Sequence, residues 1–169
     1  MYTYILSLPA SEKSNRPHEL AWFLRWRFAA RVWKWLFFES GAYQSEADRG
    51  EQWNRGAYIA EAMGHCAECH TPRNRFGALR PDMAYAGTAD GPDGELVPNI
   101  TAHAVTGIGD WSDEGLGEFL KWGELPDGEY ASGSMEPVTE GLRHLTPQDL
   151  EALIIYLRSL PPIDNRVSG

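Results

Sequence analysis

The sequence predicts an all-α protein with long connecting loops. Its last 25 residues carry a complete helix signature, and three earlier stretches repeat apolar residues at helical spacing with little strand alternation between them. The long segment 71–110, rich in Gly, Pro, Asn and Asp, is more than a compact domain leaves without organisation, so something must order it. With 169 residues, 43% hydrophobic and 12% aromatic including seven Trp, the chain carries too much apolar surface to stay unfolded. It has room for one domain plus an extension.

Residues 1–10 lack the basic start and the length of a secretory signal, so the chain as written carries no address. Over residues 19–38 the spacing predicts an amphipathic helix. Trp22, Trp26, Ala29, Trp33, Leu36 and Phe37 share one side, and Arg27, Arg31 and Lys34 gather opposite. Four cations interrupt this stretch, so it is no ordinary transmembrane span. Two roles fit it, packing along another domain or contact with a membrane surface or partner subunit. Leu24, Phe28, Trp35 and Phe38 fall outside the main arc, so the helix needs cover on more than one side.

A second helix is expected from Glu51 to about Cys66, through Trp53, Ala57, Ile59, Ala60 and Met63. A third begins after Ser112, whose hydroxyl can cap. Asp113 and Glu114 stand in its first turn, and Leu116, Phe119, Leu120 and Trp122 are its apolar positions. Residues 125–134 read as turns. The last helix starts after Thr146 with Pro147 at its first position. It carries the stripe Leu150, Leu153, Ile154, Leu157 and Leu160 and stops at Pro161-Pro162.

Charge is divided unevenly. Residues 1–50 sum to +2 and residues 51–169 to -11, within a total of -9. An acidic chain of this kind argues against nucleic acid as a partner, because phosphate binding needs clustered cations. Residues 2–10 also align without gaps to residues 154–162, with identity at Tyr4/Tyr156, Ser7/Ser159, Leu8/Leu160 and Pro9/Pro161. If the repeat is real, the chain opens on the end of a preceding domain of the same type.

The chemistry lies in Cys66-Ala67-Glu68-Cys69-His70. Two cysteines three positions apart make no disulfide framework, and C-x-x-C-H reads as covalent haem attachment, with both thiols on vinyl groups and the His on iron. A thioredoxin-like pair would want a βαβ context, a zinc site would want further ligands, and a pair of buried thiols would leave the long loops unexplained. One covalent haem would supply the core that residues 71–145 lack. The second axial ligand should come from a loop well downstream. Met135, 65 residues after His70, is the favoured candidate. Met83, only 13 residues on, is less suited to reach the distal face, and Met63 reads as core. His65, His103 and His144 are the alternatives for a bis-His site.

Residues 56–74 around this motif resemble the haem-attachment stretch of c-type cytochromes, in particular the periplasmic multihaem subunits that partner alcohol, gluconate and related dehydrogenases. Tyr85-Ala86-Gly87-Thr88, Pro98-Asn99-Ile100-Thr101, residues 106–112, Leu125-Pro126-Asp127-Gly128 and Gly133-Ser134-Met135 agree with it. The resemblance implies a cytochrome c fold over 51–163 with a tail at 164–169. It also implies thioethers at Cys66 and Cys69, His70 as proximal ligand and Met135 as distal ligand. Residues 1–50 resemble the tail of an upstream haem domain and the Trp- and Phe-rich linker that follows it. The chain departs from tandem members in having a single C-x-x-C-H, so it is either part of a longer protein or a one-haem form. Haem of this kind is attached outside the cytoplasm, which places the protein in the bacterial periplasm and an export signal upstream.

The expected function is one-electron transfer to and from redox proteins, not catalysis. Trp111, Arg73 and Arg75 are candidates to pack on the macrocycle or pair with its propionates, or else a core Trp and two solvated Arg. The acidic surface would steer a basic partner. A haem enzyme such as a peroxidase, with an open distal site, and a structural docking subunit are the competing classes.

Overall fold

The computed structural model describes residues 2–17, 19 and 26–168. Residues 20–25, with Trp22 and Leu24 of the expected amphipathic helix, lie outside the described residues. Contacts divide the chain into a unit that ends at Gly41 and a unit that starts at Ala42.

The first unit holds α1 (Tyr2–Ser7) and α2 (Arg27–Phe37). α1 closes with the Ser7 hydroxyl donating to the Tyr4 carbonyl at 2.7 Å and the Leu8 amide to Ile5 at 3.3 Å. Pro9 then has no amide to prolong the helix. In α2, Trp26 stands before the first turn with extended backbone, off the helical arc expected for it. Phe28, Val32 and Trp35 recur at i, i+4 and i+7 as an exposed apolar stripe beside the basic one, while Ala29 and Trp33 are half-buried. The helix thus has two apolar sides, as its sequence requires.

The second unit contains α3 (Glu51–Ala57), continued by a π-helical stretch (Tyr58–Met63), then α4 (Cys66–His70), α5 (Asp113–Trp122), α6 (Glu136–Leu142) and α7 (Pro147–Arg158). Among the described residues there are only isolated bridges and no strand, so the fold is all-α. Residues 42–50 belong with this unit. Tyr43 donates to the Asn54 carbonyl at 3.2 Å, and the Glu46 amide donates to Asn54 Oδ1 at 2.7 Å. The compact unit therefore begins before the charge break near residue 50.

The packing of α3 on α7 organises the core. Gly56 lets the two backbones meet, since a Cβ there would lie 1.9 Å from the Ala152 carbonyl oxygen. Trp53 stands edge-on to Tyr156 with ring centroids 5.3 Å apart and donates Nε1–H to Ser159 Oγ at 2.6 Å. At the rim, Arg55 grips Asp149 through Nε at 2.6 Å and a second nitrogen at 2.9 Å. This two-pronged bond holds the Asp149 carboxyl below the usual carboxylate range. Ala57, Ile59, Ala60, Leu116, Leu120, Leu153, Tyr156 and Leu157 fill the space between α3, α5 and α7.

Both predicted N-caps form. Ser112 Oγ accepts from the Gly115 amide at 3.0 Å, and Thr146 Oγ1 accepts from the Asp149 amide at 3.1 Å. α7 closes as α1 does, with Ser159 Oγ donating to Tyr156 at 2.6 Å and the Leu160 amide to Leu157 at 3.2 Å. These are the residues that the internal alignment pairs with Ser7, Tyr4, Leu8 and Ile5.

Three features differ from expectation. α6 lies between the turns read at 125–134 and the last helix, where the sequence pattern signals no element, because Pro137, Val138, Thr139 and Gly141 are weak helix formers and the helix is supported by contacts with α5 and with the turn before it. Trp122, expected on the apolar side of α5, is exposed. Met63, expected in the core, is 54% exposed because the π-helical stretch shifts the phase of the helix ahead of it.

Arg158 fastens the loop before α5. It donates to Asp113 Oδ1 at 2.9 Å, to the Ile108 carbonyl at 2.6 Å and to the Trp111 carbonyl. Replacing it with Met keeps the aliphatic stem but strands the Trp111 carbonyl and leaves the Ile108 carbonyl only the Trp111 amide at 3.1 Å, so Arg158→Met should destabilise the unit by about 1–3 kcal/mol. Lys, a point donor without the planar fork, should restore little of it. Denaturant unfolding of the two variants checks this.

Candidate functional site

The site is built where the helix begun by α3 breaks. The π-helical stretch ends with the Gly64 amide donating back to the Ile59 carbonyl at 2.7 Å, and His65 turns the chain in the left-handed region at φ 50°. α4 then restarts in a new direction with Cys66, Cys69 and His70 on five consecutive residues. A single helix from Glu51 to Cys66, as the spacing suggests, would not present the motif this way.

Both cysteines are free thiols, half-buried on α4. Burial pushes the Cys66 thiol up to about 11, so it stays protonated at neutral pH. Addition of sulfur across a vinyl group starts from such a thiol. Among the described residues no further His, Cys, Asp or Glu gathers with them into a metal-holding group.

His70 is buried, and its Nδ1 lies 2.8 Å from the carbonyl oxygen of Pro98. That oxygen can only accept, so the proton sits on Nδ1 and Nε2 carries the free lone pair. A backbone carbonyl behind the imidazole is how proteins orient a metal-binding His. Burial lowers the His70 pKa against the opposing pull of the Pro98 bond, which keeps the ring neutral and able to ligate. The His70 carbonyl in turn accepts from the Gly87 amide at 2.7 Å. Sequence reasoning singled out residues 98–101 by resemblance only. The structure adds the reason: Pro98 holds the imidazole, and Asn99 pins the loop. Asn99 Oδ1 accepts from the Thr101 amide at 2.9 Å, and Nδ2 donates to Thr106 at 3.1 Å and to the Ile163 carbonyl at 2.7 Å.

Met135 ends a one-turn helix (Gly133–Met135) that runs directly into α6 and is half-buried. Elsewhere in this part of the chain Trp122, Tyr130 and Val138 are exposed. Met83 closes another short turn (Pro81–Met83) and is also half-buried. Of the histidines, His65 and His144 are exposed, and His103 Nδ1 is engaged with the Thr106 hydroxyl at 2.8 Å. Trp111 stacks edge-on against Phe119 at 5.5 Å, Arg73 pairs with Glu68, and Arg75 lies over the Phe76 ring.

Behind Cys66, Tyr156 donates to Glu61 at 2.6 Å and stands 3.2 Å from the Tyr85 hydroxyl. Burial pushes Tyr85 up to about 12 and Tyr156 higher still, so both remain neutral. No sequence spacing signals this network.

The donor set of two thiols on one helical turn, an oriented imidazole with a free Nε2 and a thioether on a separate loop fits a covalently bound haem. A model of the cytochrome c family matches residues 53–161. A diheme cytochrome c-type protein of Cereibacter sphaeroides is 34% identical over 162 residues, which cover 95% of this chain and 53% of that protein. The fructose dehydrogenase cytochrome subunit of Gluconobacter japonicus is 36% identical over 136 residues, covering 80% of this chain and 26% of its own length. The gluconate 2-dehydrogenase cytochrome c subunit of Pantoea cypripedii is 32% identical over 168 residues, 95% of this chain and 38% of its own. The chain thus spans about half of the first relative and less of the others.

Proposed function

The chain belongs to the cytochrome c family, and from that premise we propose that it is a one-electron carrier with a single His70/Met135-ligated haem, working in the periplasm with a dehydrogenase and its redox partners. A bound haem supplies a one-electron couple at its iron. The residues of this chain would do the rest. Cys66 and Cys69 would hold the group covalently, His70 would ligate through Nε2 with Pro98 fixing the ring, and Met135 would ligate from its own loop. A thioether ligand raises the reduction potential over a second His.

The observation that carries this reading is the oriented imidazole beside the paired thiols. The net charge of -11 over residues 51–169 supports electrostatic guidance of a basic partner, so electron exchange should slow as salt rises. The likeness to cytochrome subunits of fructose and gluconate dehydrogenases supports a place beside such an enzyme. The matching ends of α1 and α7 support reading residues 1–50 as the tail of a preceding haem domain plus a linker that includes α2, with 51–163 as the haem domain itself. No described helix is long and apolar enough to cross a membrane.

The ferric absorption spectrum tests the ligand assignment. A weak band at its red end is expected and should vanish in Met135→Ala. The reduced protein should fail to bind CO; rapid CO binding would mean an open distal site and would turn the reading toward a haem enzyme.

A further inference from the structure

The loop that orients His70 also touches the turn that carries Met135. Thr88 and Val97 pair in both directions, with the Thr88 amide donating at 2.9 Å and the Val97 amide at 2.8 Å. They close a short loop that delivers Glu95 and Pro98 within four residues. Pro98 accepts from His70, and Glu95 Oε2 accepts from the Ser134 amide at 3.1 Å, one residue before Met135. The fit is close on the other side of this amide as well. Gly133 adopts φ +61°, and a Cβ there would lie 2.6 Å from Glu95 Oε1, so the carboxylate occupies the space that any side chain would fill.

We propose that Glu95 is a positioning residue that ties the Met135 turn to the loop holding His70, so that one loop sets the placement of both axial ligands. The proposal rests on reading Met135 as an iron ligand. A charge-assisted bond to the amide next to a ligand restrains the ligand's backbone at small entropic cost. Without it the turn keeps its sequence but loses its anchor, and the thioether becomes easier to displace. The amide of Ser134 is the group held, so an uncharged acceptor of the same length should serve in part.

The test is imidazole titration of the ferric holoprotein, followed by loss of the red-end band. Glu95→Ala should bind imidazole on the order of tenfold more tightly than the parent, given the usual strength of a hydrogen bond to a charged group. Gly133→Ala, which places a methyl where the carboxylate sits, should shift the affinity in the same direction. Glu95→Gln should fall between the parent and Glu95→Ala, because its amide oxygen can still accept from Ser134 without the charge. Glu118→Gln, which removes one negative charge from α5, should change nothing. Unchanged affinity in both Glu95→Ala and Gly133→Ala would overturn the proposal. Equal shifts in Glu95→Ala, Glu95→Gln and Glu118→Gln would also overturn it, because charge alone would then explain the effect. If the parent shows no red-end band and Met135→Ala has its spectrum, the ligand assignment itself fails, and the role of Glu95 falls with it.

Discussion

Gly56→Ala should lower the stability of the second unit by about 3 kcal/mol, and Gly56→Val by more. The added Cβ would meet three atoms of α7, the Ala152 carbonyl oxygen at 1.9 Å, its carbon at 2.6 Å and Tyr156 Cβ at 2.8 Å. Two of these are backbone, so no rotamer change relieves the clash. The helices must separate, and that loosens Trp53 from Tyr156 and stretches the Arg55–Asp149 grip. Alanine gains about 1 kcal/mol of helix propensity over glycine, which offsets only part of the cost. For a domain of this size the net loss corresponds to a Tm drop of roughly 10–20 °C. The matched control is Gly141→Ala in α6, where no atom lies within 4 Å of the new methyl. There the same substitution should be stabilising by up to about 1 kcal/mol. Thermal unfolding of the two variants reads opposite signs if close approach governs, and the same sign if glycine flexibility governs.

Met135→His should give a folded haem protein whose reduction potential falls by an amount on the order of tenths of a volt. Axial ligands tune haem potentials over a span of about 0.8 V, and a thioether favours the reduced iron relative to a second imidazole. Met135 is half-buried at the end of the turn Gly133–Met135, which continues into α6, so the replacement keeps its place in the chain. The red-end band should disappear, and potentiometric titration should show a single lower wave. An unchanged potential would assign the second ligand elsewhere. Met83 would then come next, being half-buried on a turn as Met135 is.

Much of the site is local chemistry, which is why the sequence shows it. C-x-x-C-H is a five-residue pattern, and the caps Ser112 and Thr146 act within three residues of themselves. α7 is legible for the same reason, because its stripe, its Pro147 and its stop all lie in one segment. What stays hidden depends on contacts far apart in the chain. α6 has poor intrinsic propensity and is supported by its contacts with α5 and with the Gly133–Met135 turn. The π-helical stretch and the left-handed His65 let Glu61 reach Tyr156, 95 residues away, while α4 starts afresh. The Pro98 carbonyl is a backbone group, and no residue type announces that it will face His70. Glu95 is one acidic residue among 24 Asp and Glu, and only the fold sets it against Ser134.

The central claim is that Cys66 and Cys69 carry one haem covalently. The intact mass of the denatured protein, matured where c-type haem is attached, measures this without reliance on spectra or partners. The predicted result is the 18.9 kDa chain plus the mass of one haem, with the addition lost in the Cys66→Ala, Cys69→Ala double variant. A denatured chain at its unmodified mass would contradict the account.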